Sequence, residues 1–205
     1  NQFFPKTRSI RQLVFYLRYF VLIRELLKES FNEIPDYLDE AIFFIGKAYN
    51  FIWSSHNENL LFNGNHIADL SDLDKYLDLH GYKFKNDSNE IGGYSILKNK
   101  KIIICMDVGP TPHRKYSENY QSGPLSFEAI YKGNKIICNS GYFQNHRHKL
   151  NNISKSSVAH STLILNDKSA KNIILCSSDK FEESETTFCK YIPVTEIDMK
   201  LDFQE

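Results

Sequence analysis

Apolar residues in the first 80 positions recur at spacings of three and four, which is the period of an amphipathic helix. Ser9 is a suitable N-cap, and the apolar stripe that follows it continues to about Ser30, so we predict a first helix here. Pro35 suits the first turn of a second helix. The short connection between them predicts two antiparallel neighbours. The buried face of the second helix is predicted to carry Leu38, Ile42, Ile45 and Tyr49.

A turn and a third helix follow in the next thirty residues. The segment Leu60–Asn65 has the pattern of a short extended piece closed by a turn. Ser71 is a candidate cap for a third helix that continues to Leu79, and Gly81 suits its end.

The period changes to two from about Gly92, and turn residues separate the apolar runs. Two hairpins are predicted, one closed by Lys98-Asn99-Lys100 and the other by Lys132-Gly133-Asn134. The absence of strand–helix alternation disfavours a doubly wound parallel sheet. We therefore predict an α+β fold, with helices in residues 1–90 and an antiparallel β-sandwich in residues 91–205. The predicted strands are Tyr94–Leu97, Lys101–Met106, Leu125–Tyr131, Lys135–Cys138, Ser161–Leu165, Asn172–Ser177 and Thr187–Ile192.

Composition supports a folded chain without a general affinity for polyanions. The 205 residues are 41% hydrophobic and 14% aromatic, with a formal net charge of zero, which excludes an intrinsically disordered chain. A balanced charge gives no electrostatic footprint for nucleic acid or anionic membranes, although a local basic groove is compatible with it. The most apolar run, Leu13 to Leu27, is interrupted by Arg18 and Arg24, so no membrane-spanning segment is predicted.

The four cysteines do not indicate a metal cluster or a disulfide framework, because none forms a CxxC pair. Cys105, Cys138 and Cys176 lie in apolar runs, and we interpret them as buried small hydrophobic residues. Cys189 is the fourth.

A few residues suggest chemistry on their own, and each has a second interpretation. His146 and His148 are a candidate metal pair or a solvated loop, and Arg147 could bind a carboxylate or lie free on the surface. Trp53 is a candidate sugar-stacking platform or a core residue. Gly92-Gly93 lacks the third glycine and the helix of a phosphate loop.

Several segments, taken in order, resemble the heparinase II/III family of polysaccharide lyases. The resemblance runs from about Arg8 to about Asp167, and its best single marker is Ala159-His160-Ser161-Thr162. The other segments that carry it are Leu61–Gly64, Gly109–Pro112, Leu125–Glu128, Gly133 and Asn139–Gly141.

The resemblance implies an α/α toroid followed by antiparallel β-sheets, of which this chain would be a C-terminal fragment without an initiator Met. It implies β-elimination on an acidic, uronate-containing polysaccharide and a location in the bacterial periplasm or envelope. That reaction needs a group that neutralises the uronate carboxylate, a base that removes the adjacent proton, and an acid for the leaving oxygen. The candidate catalytic residues are Asn119, Tyr142 and Arg147, and the candidate substrate-binding residues are Trp53 and His146.

Some members of the family hold a structural zinc, and three positions here correspond to its ligands. His160 matches a ligand His, Asn139 falls where those members have an Asp, and Gln121 falls where they have a His. Asn119 falls on the family's catalytic His. Amides are poor zinc ligands beside imidazole and carboxylate. We therefore expect no tight zinc site, and no other cofactor is indicated.

The same replacements leave a second functional hypothesis open. The leading hypothesis is a lyase, and the alternative is a catalytically degenerate protein of the same fold that binds carbohydrate or handles envelope polysaccharide. A third, a partner-binding sandwich unrelated to sugars, is not excluded by fold alone.

Overall fold

A computed structural model describes residues 4–54, 59–66, 69–117, 120–121, 123–141 and 148–164. Three α-helices come first and a sheet follows, as the change of period predicts, but a short fourth helix that was not predicted comes after the sheet. The helices are α1 (Ile10–Glu29), α2 (Asp36–Tyr49), α3 (Ser71–Leu79) and α4 (Lys149–Lys155). The strands are β1 (Glu90–Ile91), β2 (Tyr94–Lys98), β3 (Ile102–Asp107), β4 (Phe127–Tyr131) and β5 (Asn134–Ile137).

Helix α1 begins and ends where its sequence predicts. The Ser9 hydroxyl accepts a hydrogen bond from the backbone N–H of Gln12, which satisfies one of the free donors at the helix start. The backbone N–H of Ser30 donates to Leu26 O and closes the last turn. The predicted stripe is buried and packs on α2, and its members are Ile10, Leu13, Leu17 and Val21.

Helix α2 is followed directly by a π-helical stretch that its sequence does not predict. Pro35 is its N-cap residue rather than a residue of its first turn, and the helix passes at Tyr49 into a π-helical stretch, Asn50–Ser54. This stretch brings Phe51, Ile52 and Trp53 into the core. The wider π-turn has no periodicity signature in a run of only five residues, so the sequence did not predict it.

The strands form one antiparallel sheet in the order β1-β2-β3-β4-β5. Both predicted hairpins are confirmed: Ile96 pairs with Cys105 in the first, and Tyr131 pairs with Asn134 in the second. The α+β class is confirmed. Helical and strand residues share one hydrophobic core, in which Tyr94 contacts Phe62 with ring centroids 5.3 Å apart.

Two sequence predictions about the sheet are wrong. Residues 161–164, the described part of the predicted strand Ser161–Leu165, have no strand structure, although Phe127 donates its N–H to Ser161 O at 3.1 Å. Cys105 is buried as expected, but Cys138 is exposed because it follows the last residue of an edge strand. The predicted strands Asn172–Ser177 and Thr187–Ile192 lie outside the described residues.

The segment Leu60–Asn65 is not extended as predicted. It contains a 3₁₀ turn, Phe62–Gly64, in which Asn63 has the left-handed backbone angles φ 50° and ψ 46°. Asparagine tolerates this conformation better than most residues. The whole segment is buried between the helices and the sheet, and we call it the junction loop.

Candidate functional site

The junction loop is held by polar side chains from β4 and from a segment outside the strands. Because a buried backbone N–H or C=O needs a partner, each loop residue without a helix or strand around it must be satisfied from elsewhere. Two side chains do this for the N–H groups of Leu61 and Gly64, and they are Glu128 and Gln121. Asn139 donates to Glu128 in turn, and it accepts from the N–H of Ser161, the residue after His160.

Glu128 is the centre of this network. It lies on the inner face of β4, opposite Cys105, and its side chain is fully buried. Its Oε1 accepts hydrogen bonds from Leu61 N at 2.7 Å and from Asn139 Nδ2 at 3.1 Å. Its Oε2 lies 3.0 Å from Lys135 Nζ. The ammonium group of Lys135 also donates to Asn59 O, so the buried charge has an opposite charge beside it.

Gln121 joins the junction loop to the segment after β5. Its Oε1 accepts from Gly64 N at 2.9 Å, and its Nε2 donates to Gly141 O at 2.7 Å. Gln121 is 3% exposed. The bridge therefore uses the acceptor and a donor of one amide, a combination that an ionised carboxylate, which only accepts, would not reproduce.

Asn139 makes the same kind of bridge. Its Oδ1 accepts from Ser161 N at 3.2 Å, while its Nδ2 donates to Glu128. Nearby, Ser140 N donates to Ala159 O at 3.1 Å. The segment with the Ala-His-Ser-Thr marker is thereby fastened to the end of β5.

His160 is fixed in one tautomer by its partner. Its Nε2 lies 3.0 Å from Ser154 O, and since a carbonyl only accepts, Nε2 must carry the hydrogen. Burial lowers the pKa of His160 to about 4, and the bond to Ser154 opposes this only in part. Gly123 packs on the ring: a Cβ at Gly123 would lie 3.1 Å from the imidazole Cγ. The ring is neutral at neutral pH.

These contacts do not fit a zinc site. Both amides at the ligand-equivalent positions, Gln121 and Asn139, are committed to donor–acceptor bridges, and His160 points its Nε2–H at a carbonyl. Over the described residues, no group of three or more His, Cys, Asp or Glu is placed to hold a metal ion. The expectation of weak or absent zinc stays a prediction.

A buried ion pair, Arg8 and Asp107, contacts the junction loop through Asn63. Arg8 donates through Nη2 to Asp107 Oδ1 at 2.6 Å, and its remaining donors go to the carbonyls of Gly92, Gly93, Gly109 and Pro110. Asn63 Nδ2 donates to the Tyr94 hydroxyl at 2.5 Å, and that hydroxyl donates to Arg8 O at 2.7 Å. Burial raises the pKa of Asp107, and the Arg8 guanidinium opposes the shift.

Sequence reasoning missed Arg8 and the role of Glu128. A signal for Glu128 was present: it occupies an inward-facing position of a predicted strand, where a carboxylate requires a partner. Gly92-Gly93, dismissed as a phosphate loop, is the turn between β1 and β2, and it supplies two of the carbonyls that bind Arg8.

Of the five candidate catalytic and substrate-binding residues, only Trp53 lies in the described part of the chain. Its indole is 9% exposed, and its Nε1 donates to Asp74 Oδ2 at 2.7 Å. This contact favours the core interpretation over a sugar-stacking platform. The other four candidates lie outside the described residues: Asn119, Tyr142, His146 and Arg147.

Comparison with known proteins identifies the second half of the chain. Residues 87–184 match the model of the heparinase II/III-like, C-terminal family. This part of the chain is therefore similar to the C-terminal domain of that family. The match includes all the strands of the sheet and the residues that hold the junction loop from that side. No curated protein sequence matches the chain.

Solved structures extend the similarity to the helices. A heparan sulfate lyase from Pedobacter heparinus has a TM-score of 0.60 and 16% identity, with 78% of this chain and 29% of that chain covered. A heparinase III structure has a TM-score of 0.58 and 12% identity, with 77% and 32% covered. At this identity the comparison establishes the fold: the heparinase arrangement of helices followed by a β-sandwich domain. The chain spans about a quarter to a third of the length of these structures.

No helix in the described part of the chain is both long enough and apolar enough to cross a membrane.

Proposed function

We propose that the full-length protein is a polysaccharide lyase-like enzyme that cleaves uronate-containing glycans by β-elimination. The proposal rests on two similarities that are found in the same chain. Residues 87–184 match the model of the heparinase II/III-like, C-terminal family, and the fold of helices and sheet is similar to that of a heparan sulfate lyase. A location in the periplasm or cell envelope belongs to the same proposal.

The chemistry assigns a task to each of the candidate catalytic residues. β-Elimination begins when the proton next to the uronate carboxylate is removed, so charge accumulates on that carboxylate and must be stabilised by hydrogen-bond donors. Asn119 can donate such a bond as a neutral amide, and Arg147 can do so as a bidentate cation. Tyr142 is the candidate for proton transfer.

The two hydrogen bonds of the Gln121 side chain support a positioning role for this residue. Gln121 is two residues after Asn119 and is fastened at both ends of its amide, to Gly64 and to Gly141. Gly141 directly precedes Tyr142 in the sequence. One buried side chain therefore contacts the chain next to two candidate catalytic residues, and such support is what a preorganised site requires.

The second candidate is a catalytically degenerate, glycan-binding protein of the same fold. Its support is that Gln121 and Asn139 fill ligand-equivalent positions with neutral amides engaged in structural bridges. It predicts glycan binding without formation of an unsaturated product.

The deciding experiment gives the full-length protein alginate, heparin-type and other uronate glycans and follows absorbance in the unsaturated uronate band. Growth of that absorbance supports the lyase, and its loss in Asn119→Ala and Tyr142→Phe variants would assign those residues. An Asn134→Ala variant, altered at an exposed hairpin turn, is the control. Binding without any product on the whole panel contradicts the lyase and leaves the degenerate protein.

A further inference from the structure

A cluster of four lysines lies at one end of the sheet. Lys98 is the last residue of β2, and Lys100 and Lys101 lie in the turn that follows it. Lys132 lies in the turn between β4 and β5. All four side chains are exposed. Lys132 N donates to Lys101 O at 2.8 Å, so the two turns are directly connected. We call these four residues the lysine surface.

The backbone of the lysine surface is fixed by local hydrogen bonds. Asn99 Oδ1 accepts from Lys101 N and from Ile102 N, each at 2.8 Å, and Asn99 N donates to Ile102 O at 2.9 Å. Neighbouring strands are about 4.8 Å apart, which places the two turns within about 10 Å of each other. Four positive charges are therefore held close together on a stable support.

The charges of the lysine surface are not neutralised by acidic side chains in the described part of the chain. None of the four forms an ion pair there, whereas Lys28, Lys75 and Lys135 each lie within 4.0 Å of a carboxylate oxygen. The Lys132 ammonium lies 5.3 Å from the Tyr131 ring centroid. In a chain with no net charge, such clustering creates a local positive potential suited to a polyanion.

A polar cleft adjoins the lysine surface and shares Lys98 with it. The cleft has a volume of about 430 Å³ and lies between the π-helical end of α2 and the loop that precedes β1. Amides and a hydroxyl match the hydroxyl groups of a sugar, and a lysine matches its carboxylate. The lining includes Phe51, Asn86, Asp87, Ser88, Asn89 and Lys98.

The lining favours a glycan over a nucleic acid. Binding of single strands relies on exposed aromatic faces for base stacking, but the aromatic ring of the cleft, Phe51, is only 3% exposed. Asp87 can accept hydrogen bonds from hydroxyl groups, which the sugar units of a glycan carry.

We propose that the lysine surface and the adjoining cleft bind an acidic polysaccharide chain. The cleft takes the hydroxyl groups of one or two sugar units, and the lysines take carboxylate or sulfate groups along the same chain. None of these residues belongs to the network that holds the junction loop, so this is a second contact region. The class of ligand rests on the proposed function.

The test compares two full-length variants with the same change in net charge. One replaces Lys98, Lys100, Lys101 and Lys132 with Gln, and the other replaces Lys6, Lys28, Lys47 and Lys75 with Gln. Affinity for labelled alginate and heparin oligosaccharides is measured by fluorescence anisotropy at several salt concentrations. We expect at least about tenfold weaker binding at low salt for the first variant and less than about twofold for the second.

The outcomes separate this proposal from the proposed function. Equal affinity of the first variant and the unchanged protein overturns the lysine surface, even if the protein is a lyase. Loss of binding in the first variant alone supports it, even if no glycan is cleaved. Stronger competition by single-stranded DNA than by the oligosaccharides, at equal charge, overturns the choice of a glycan. An Asn89→Ala variant, expected to weaken binding about threefold at high salt, tests the cleft separately.

Discussion

Arg8 and Asp107 form a buried ion pair that joins the start of the helical part to the third strand. Their side chains are 8% and 1% exposed, and the Nη2–Oδ1 distance is 2.6 Å. The guanidinium also donates to four backbone carbonyls. All of its donors are therefore used inside the protein, which makes Arg8 a structural residue rather than a ligand for substrate.

Replacing Arg8 with Lys should destabilise the protein although the charge is kept. An ammonium group cannot reach the four carbonyls and Asp107 together, so about 2–4 kcal/mol should be lost from the free energy of unfolding. Urea denaturation measures it. Lys75→Met, which removes an exposed ion pair with Asp72, is the control and should have no measurable effect. An Arg8→Lys protein as stable as the unchanged one would contradict the assignment.

Replacing Asn139 with Asp should destabilise the junction-loop network. The change puts a second carboxylate where an N–H now donates to Glu128 Oε1 at 3.1 Å, and we expect a loss of about 2–4 kcal/mol at pH 7. The loss should shrink on acidification, as one carboxyl takes up a proton. Asn134→Asp, at an exposed turn, is the matched control. Unchanged stability of Asn139→Asp would refute the role of this hydrogen bond.

Zinc should be absent from the Gln121, Asn139 and His160 positions. Because these side chains are committed to hydrogen bonds, we expect EDTA to leave the melting temperature unchanged and elemental analysis to find far less than one zinc per chain. Metal bound elsewhere in the full-length protein is recognised with His160→Gln, since it would persist in that variant. One zinc per chain that disappears in His160→Gln would refute the prediction.

The helices and hairpins could be predicted because each is determined by neighbours in sequence. Ser9 caps α1 from three residues away, and the turn at Lys132-Gly133 places β4 beside β5. The shape of the junction loop could not be predicted, since it depends on partners such as Glu128, which lies 67 residues from Leu61. The sequence shows the apolar residues of the loop, but it does not show which side chains form hydrogen bonds with the loop backbone.

The candidate site was predicted in part for the same reason. Resemblance to a family directed attention to Gln121, Asn139 and His160, and the structure shows what each contacts. Arg8 carried no local signal, because its partner Asp107 is 99 residues away and only the folded chain brings them together. A sequence shows which residues are charged, whereas the partner of a buried charge is determined by the fold.

His160 should make stability depend on pH in a defined window. Burial lowers its pKa to about 4 in the folded protein, against about 6.5 when unfolded. Between these values the unfolded chain binds a proton that the folded protein does not, so stability falls as pH decreases from about 6.5 to about 4 and then levels off for this group. The full contribution is about 3 kcal/mol.

The His160→Gln variant should lose this pH-dependent contribution while it keeps a donor for Ser154 O. The measurement is the free energy of unfolding at pH 4.5 and 7 in both proteins. His66, whose pKa is also lowered by burial, contributes equally to both and cancels. His113→Gln, at an exposed position, is the control and should keep the original slope. A His160→Gln protein with that same slope would show that the imidazole is not held neutral by burial.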